Sequence, residues 1–280
     1  MRADAQLPWR GPGQGRPDLP IPPGKMPLWR DGSLRKRWRY VAAFDEEMIL
    51  CAARAQVGPF AQSFWVAWDR RRGHRFGNTI LRRSDREVKL SGPRIGIEAR
   101  DLRASLVLGE STPVESICPS GTGWGWTRKR VGMPVNGLVK VGVREWPIHG
   151  QGVDDESAGY HQRHTSWLWS AGVGRAEDGR ALAWNLVEGI NDPPQNSERA
   201  IWVEDEPSEP APVSFDGLDA IEFADGGLLR FDEECERARS DNLLVLRSRY
   251  RLRFGTYSGS LNGIVLDQGL GVMEEHRAVW

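Results

Sequence analysis

The chain has 280 residues, 39% of them hydrophobic, and its 38 Lys and Arg are matched by 38 Asp and Glu. That is enough apolar material for a sizeable core, and the balanced charge sets aside a disordered chain and argues against a nucleic-acid partner. No apolar run has the length of a membrane span or of a secretory signal core, and Cys51, Cys118 and Cys235 are far apart with no CxxC pair, so the expectation is reduced thiols in a cytoplasmic protein without an integral membrane segment.

Residues 1–33 are rich in Pro and Gly and read as an irregular arm. Trp9 and Trp29 argue that it docks on the body, because exposed indoles are costly. From Arg37 onward, short apolar and β-branched runs alternate with turn residues, the pattern of an antiparallel sheet protein. The expected strands are Trp38 to Phe44, Met48 to Arg54, Gln62 to Trp68, Arg75 to Leu81, Glu87 to Leu90, Ile95 to Ala99 and Arg103 to Leu108.

The second half continues with Gly137 to Val143, Ser166 to Val173, Ala181 to Val187, Ala200 to Val203, Ala220 to Phe223 and Leu228 to Phe231. Two long strands follow, Asn242 to Arg253 and Thr256 to Leu266. In the first, Leu246, Ser248, Tyr250, Leu252 and Phe254 alternate with Arg247, Arg249, Arg251 and Arg253. One face is therefore directed at a core, the other at solvent or an acidic neighbouring strand. A short helix is expected at Met273 to Ala278, with Trp280 tucked against the body. Turn residues and a basic run at Gly121 to Gly132 point to a division near Val131 to Asn136, giving an arm at 1–33, a first barrel at 34–132 and a second at 133–280.

The most chemically mixed segment is Asp154 to Trp169, DDESAGYHQRHTSWLW. Glu156, His161 and His164 can transfer protons if burial tunes them. Tyr160 can donate a hydrogen bond, and Arg163 can hold a carboxylate. His161 and His164 are three apart, so on a strand they point to opposite faces and cannot share a metal ion; no metal site is expected. Gly121 to Trp126 is glycine-rich but lacks the spacing of a phosphate cradle. There is no GxSxG elbow, and nothing selects a serine. The ending Glu274 to Trp280 is a second polar cluster, read as a solvated helix face.

The stretches LRKRWRYVAAFDEEMILCAARAQVG, YHQRHTSWLWSAGVG followed by WNLVEGIND, SDNLLVLRSRYRLRFGTYSG and MEEHRAVW together resemble the bacterial domain of unknown function 2804 family. That family is distantly similar to the group of hydroxyneurosporene synthase, tocopherol cyclase and AttH. The resemblance implies an all-β fold of two lipocalin-like, calycin-type antiparallel barrels or half-barrels packed together. It also implies proton-initiated hydration or cyclisation of an apolar, isoprenoid- or polyketide-like small molecule, with no cofactor. On that reading Glu156 or His161 is the acid, and Tyr160, Arg163 and His164 complete the catalytic segment. Trp167, Trp169 and Trp184 face a developing cation, and Asn185 and Asn191 orient water or a polar substrate group. The alternative is a non-catalytic barrel holding a hydrophobic ligand; a third reading is an interaction scaffold without a deep cavity.

Overall fold

A computed structural model of the protein describes residues 7–12, 15–81, 86–243 and 246–279. The arm contributes β1 (Trp9–Gly11) and a small hairpin, β2 (Trp29–Arg30) and β3 (Ser33–Leu34). A first run follows as β4 (Lys36–Phe44), β5 (Met48–Val57), β6 (Phe60–Asp69), β7 (His74–Leu81), β8 (Val88–Ser91), β9 (Arg94–Glu98), β10 (Arg103–Leu108), β11 (Val114–Ser120), β12 (Gly123–Val141) and β13 (Arg144–Gly159). The second run is β14 (His164–Ala176), β15 (Ala181–Glu188), β16 (Ala200–Val203), β17 (Glu206–Ser208), β18 (Ser214–Asp216), β19 (Ala220–Glu222), β20 (Leu228–Leu243), β21 (Leu246–Leu261) and β22 (Ile264–Val279). No helix occurs among the described residues, and hence none long and apolar enough to cross a membrane.

The two runs form two antiparallel sheets of related design. The first has the order β7-β6-β5-β4-β13-β12-β10-β9-β8, with β1 and β11 branching from β12; the second runs β17-β16-β15-β14-β22-β21-β20-β19-β18. In each, the first long strand pairs with the last, β4 with β13 and β14 with β22, so each sheet curls into a half-barrel. The change of sheet falls between Gly159 and His164. Residues 132–133, where the sequence suggested a boundary, lie inside β12 at a bulge: the register shifts between Val131 and Met133, and Gly132 takes φ +84, a conformation open to glycine.

Among the described residues the apolar side chains fall into four cores, three in and between the sheets and one under the arm. Val41, Leu50, Ile97 and Met133 fill the curl of the first sheet, and Trp184, Ile221, Phe231 and Met273 fill the curl of the second. The third core lies between the sheets, where Tyr40, Ala42 and Val153 meet Trp169, Trp202 and Phe254. Both curls are filled with buried apolar side chains.

Three expectations change. Met273 to Ala278 is not helical but the end of β22, paired on one side with β14 and on the other with β21; two complete ladders outweigh a weak local preference. The expected strand Thr256 to Leu266 is broken by a hairpin at Asn262-Gly263, both at positive φ (47° and 78°), the combination that a two-residue type I′ turn demands. The expected strand at Asn242 likewise belongs to two strands, β20 and β21. Trp280 lies outside the described residues.

The arm docks in part. Trp9, Ile21 and Met26 are buried against Trp124, Trp126 and Tyr160, and the Arg10 guanidinium donates to the carbonyls of Ser197 and Arg199 (2.5 and 2.9 Å), tying the arm to the second half. Trp29, by contrast, is 59% exposed. Several arginines pair with acids: Arg70 with Glu234 (2.6 Å), Arg251 with Glu236 (2.6 Å) and Arg253 with Glu233 (2.8 Å).

Candidate functional site

The site is built on the β12–β13 ribbon, where three charged pairs stand in consecutive register: Arg128 opposite Glu156, Lys129 opposite Asp155 and Arg130 opposite Asp154. Successive residues of a strand point to opposite faces. The outer pairs therefore share one face, where Arg39 from β4 joins them and donates to Asp154 (2.8 Å); Arg130 reaches the same carboxylate at 2.5 Å, and Arg128 meets Glu156 at 2.6 Å. The middle pair faces the other sheet.

There Lys129 Nζ lies 2.7 Å from Asp155 Oδ1 and 3.2 Å from Glu198 Oε1, with side-chain exposures of 3%, 8% and 3% for the three residues. Glu198 comes from the loop between β15 and β16 and accepts from Asn191 Nδ2 (3.0 Å). Two buried carboxylates thus share one ammonium. Burial drives the Asp155 pKa up, Lys129 draws it down and Glu198 raises it again, and the carboxyl ends at about 6. Burial also opposes the charge on Lys129, but Asp155 and Glu198 outweigh it and hold the ammonium above the usual lysine value.

Asp155, Lys129, Glu198 and Asn191 lie at the wall of a cavity of about 880 Å³ between the two sheets, within the range of small-molecule sites. Seven aromatic residues, Trp38, Tyr40, Phe60, Phe64, Trp167, Trp169 and Tyr250, line it from both sheets. Trp38 and Trp167 stack in parallel with centroids 6.2 Å apart, and Tyr40 meets Trp169 edge-on at 5.4 Å. Phe64 and Tyr250 stack at 5.9 Å. The C-terminal strand adds Glu274 and His276: Glu274 Oε1 accepts from Trp167 Nε1 (3.1 Å) and lies 3.3 Å from His276 Nδ1, while His276 Nε2 is 2.9 Å from Ser248 Oγ.

The residues singled out in the sequence separate into three groups. Trp167, Trp169 and Asn191 line the cavity. Asn185 and His161 stand just behind the wall. Asn185 accepts from Trp169 Nε1 (2.9 Å) and donates to the Glu198 carbonyl (2.9 Å), fixing both an indole and the acid-bearing loop. His161 is buried behind Trp38, stacked at 5.4 Å; burial first and Lys36 second push its pKa down to about 3, so the ring is neutral near pH 7. A Cβ at Gly125 would stand 2.6 Å from His161 Cε1 and from Asn191 Oδ1, so the glycine-rich Gly121 to Trp126 segment makes room for this imidazole.

The others are elsewhere. Glu156 is on the opposite face of β13 among arginines. Tyr160 packs under the arm and donates to the Pro27 carbonyl (2.7 Å); Arg163 and His164 are exposed. Trp184 is buried inside the second curl, donating to Ser170 Oγ (3.0 Å). Sequence reasoning missed Asp155, although it stands beside Glu156, and it missed Lys129 and Glu198. The signal available was the period of two: if Glu156 pairs with one face, Asp155 must point to the other.

Two curled antiparallel half-barrels packed together make the lipocalin-like two-barrel fold, shared with two solved structures. A protein from Nitrosomonas europaea assigned as AttH aligns over 91% of this chain and 98% of its own, at 14% identity and a TM-score of 0.55. Kievitone hydratase from Nectria haematococca aligns over 86% of this chain and 88% of its own, at 11% identity and a TM-score of 0.50. No curated protein matches by sequence. Residues 81–280 match the model of a domain of unknown function, DUF2804, and the chain belongs to that family.

Proposed function

We propose that the protein is a cofactor-independent hydratase or cyclase that acts by general acid catalysis on an apolar, isoprenoid- or polyketide-like small molecule, with Asp155 as the acid. The observation that carries this reading is a buried carboxyl that shares one ammonium with a second buried carboxylate at the wall of a cavity rich in aromatic side chains; burial pushes the pKa of this carboxyl up to about 6. An acid tuned close to ambient pH both gives and recovers a proton efficiently, and perturbed carboxyls in apolar pockets mark functional sites.

Lys129 and Glu198 set the proton affinity of Asp155, and Asn191 holds Glu198 in place. Protonating a carbon–carbon double bond creates a cation, which the ring faces of Trp38, Trp167 and Trp169 stabilise; water or an internal π bond then captures it. The shared fold with a protein named a hydratase lends a scaffold precedent, but fold alone does not assign chemistry. The test is incubation with a panel of isoprenoid and polyketide olefins in D2O, read by mass spectrometry. Deuterium on carbon that disappears in Asp155→Asn and persists in Glu156→Gln supports the assignment; incorporation unchanged in Asp155→Asn overturns it. The mostly apolar walls also suit a plain binder, which the same panel would reveal as an unmodified ligand held by the protein at equimolar level.

A further inference from the structure

The C-terminal polar cluster, read from sequence as a solvated helix face, instead enters the cavity from β22, and it completes an arrangement to which the acid chemistry above assigns no role. Three residues of the cavity wall form a continuous chain: Ser248 Oγ to His276 Nε2 at 2.9 Å, and His276 Nδ1 to Glu274 Oε1 at 3.3 Å. The third member is itself anchored, since the same oxygen accepts from Trp167 Nε1. The imidazole is held on both sides, 4.2 Å from the Trp167 ring and 5.6 Å from that of Tyr250. The β ladders fix the spacing: His276 is opposite Tyr250 and Trp167, and Ser248 is opposite Ala278, so the serine and histidine are diagonal neighbours across adjacent strands, within side-chain reach.

We infer that Ser248 is an activated nucleophile and that this wall of the cavity hydrolyses carboxylic esters with an apolar body. The roles follow from the hydrogen bonds. A carboxylate only accepts, so Glu274 holds His276 with its Nδ1–H turned toward the acid and leaves the Nε2 lone pair to accept from Ser248. This is the logic by which a serine, histidine and acid act together on unrelated folds, recognised by geometry and not by chain order. Here the order is Ser248, Glu274, His276.

In the reaction, Ser248 Oγ bonds to the ester carbonyl carbon as its proton passes to His276 Nε2 and the carbonyl π electrons move onto oxygen. Collapse of the intermediate breaks the carbon–oxygen bond to the alcohol, which leaves with the proton from His276. Water then loses a proton to His276 and adds to the acyl carbon, and Ser248 departs and regains its proton. Ester and water become acid and alcohol, with no further reactant. Trp167, Tyr250 and Phe64 select an apolar acyl or alcohol portion.

The experiment uses an octyl fluorophosphonate on the full chain, followed by intact mass and peptide mapping, with p-nitrophenyl octanoate as a turnover probe. The expected result is one adduct, on Ser248, absent in Ser248→Ala and formed about 10²–10⁴-fold more slowly in His276→Ala, the usual cost of losing a positioned base. Glu274→Gln should slow labelling without loss of the folded state, read by thermal melting. A wild-type protein that yields no Ser248 adduct overturns the proposal, and so does an adduct whose rate is unchanged in both His276→Ala and Glu274→Gln. The readout is the reactivity of Ser248 itself, so its failure is distinct from a failure of the olefin assay.

Discussion

The two faces of the β12–β13 ribbon carry the same ingredients and come to opposite ends. On one, Arg39 and Arg130 surround Asp154 while Arg128 and Arg39 meet Glu156, so cations outnumber acids and each carboxylate is satisfied. On the other, a single ammonium serves two buried carboxylates, and one of them gives way by taking up a proton nearer neutral pH. Residue type does not separate structural acids from a candidate catalytic one here. The ratio of counter-charges does, because an unpaired charge in a low-dielectric setting is far more expensive than a paired one.

The largest expected effect is on chemistry. Asp155→Asn should lower olefin turnover about 10²–10⁴-fold, while Asp154→Asn, in spite of its burial, should retain turnover per folded molecule; loss of activity in both variants at equal folded fraction would abolish the distinction between the faces. Next comes stability. Lys129→Met leaves two buried carboxylates without a cation and should cost about 3–5 kcal/mol, measured by urea denaturation. Arg128→Met, whose side chain is 43% exposed, should cost only about 0–1 kcal/mol.

A third test is pH. Burial raises the folded-state pKa of Asp155 to about 6 from the ordinary aspartate value of 3.8, so between those values the folded state binds more protons than the unfolded one. The contribution of Asp155 to stability is therefore fully present below about pH 4 and lost as pH rises through about 6. Asp155→Asn should remove this fall, and the difference between the wild-type and variant pH–stability curves isolates it. The smallest effect belongs to Glu156→Gln: an acid that is partly exposed and shares its arginines should shift stability by about 0–1 kcal/mol and leave turnover unchanged.

Much of the fold was legible because its signals are local. Arg103 to Leu108 and Ala200 to Val203 appear as read, and the arginine-rich face of β21 does meet acids, Glu233, Glu236 and Asp219. The misreadings came where a local signal was overlooked or overruled. Asn262-Gly263 is a turn by its own chemistry, whereas Met273 to Ala278 becomes a strand only because β14 and β21 flank it. The candidate site was half legible: Trp167, Trp169 and Asn191 reach the cavity, but its acids arrive from β13, the β15–β16 loop and β22, which are remote in the chain.

Asp154, Asp155 and Glu156 lie outside every strand expected from the sequence; once β13 makes them extended, they must alternate, since a period of two is a property of any extended chain. The sequence by itself determined that the protein would be all-β, from the spacing of its apolar runs and turns. Only the tertiary structure decided the phase of that alternation, by packing the second half-barrel on one side of the ribbon and the arginines on the other. Phase is set by which face loses its water, and that depends on every strand that covers it.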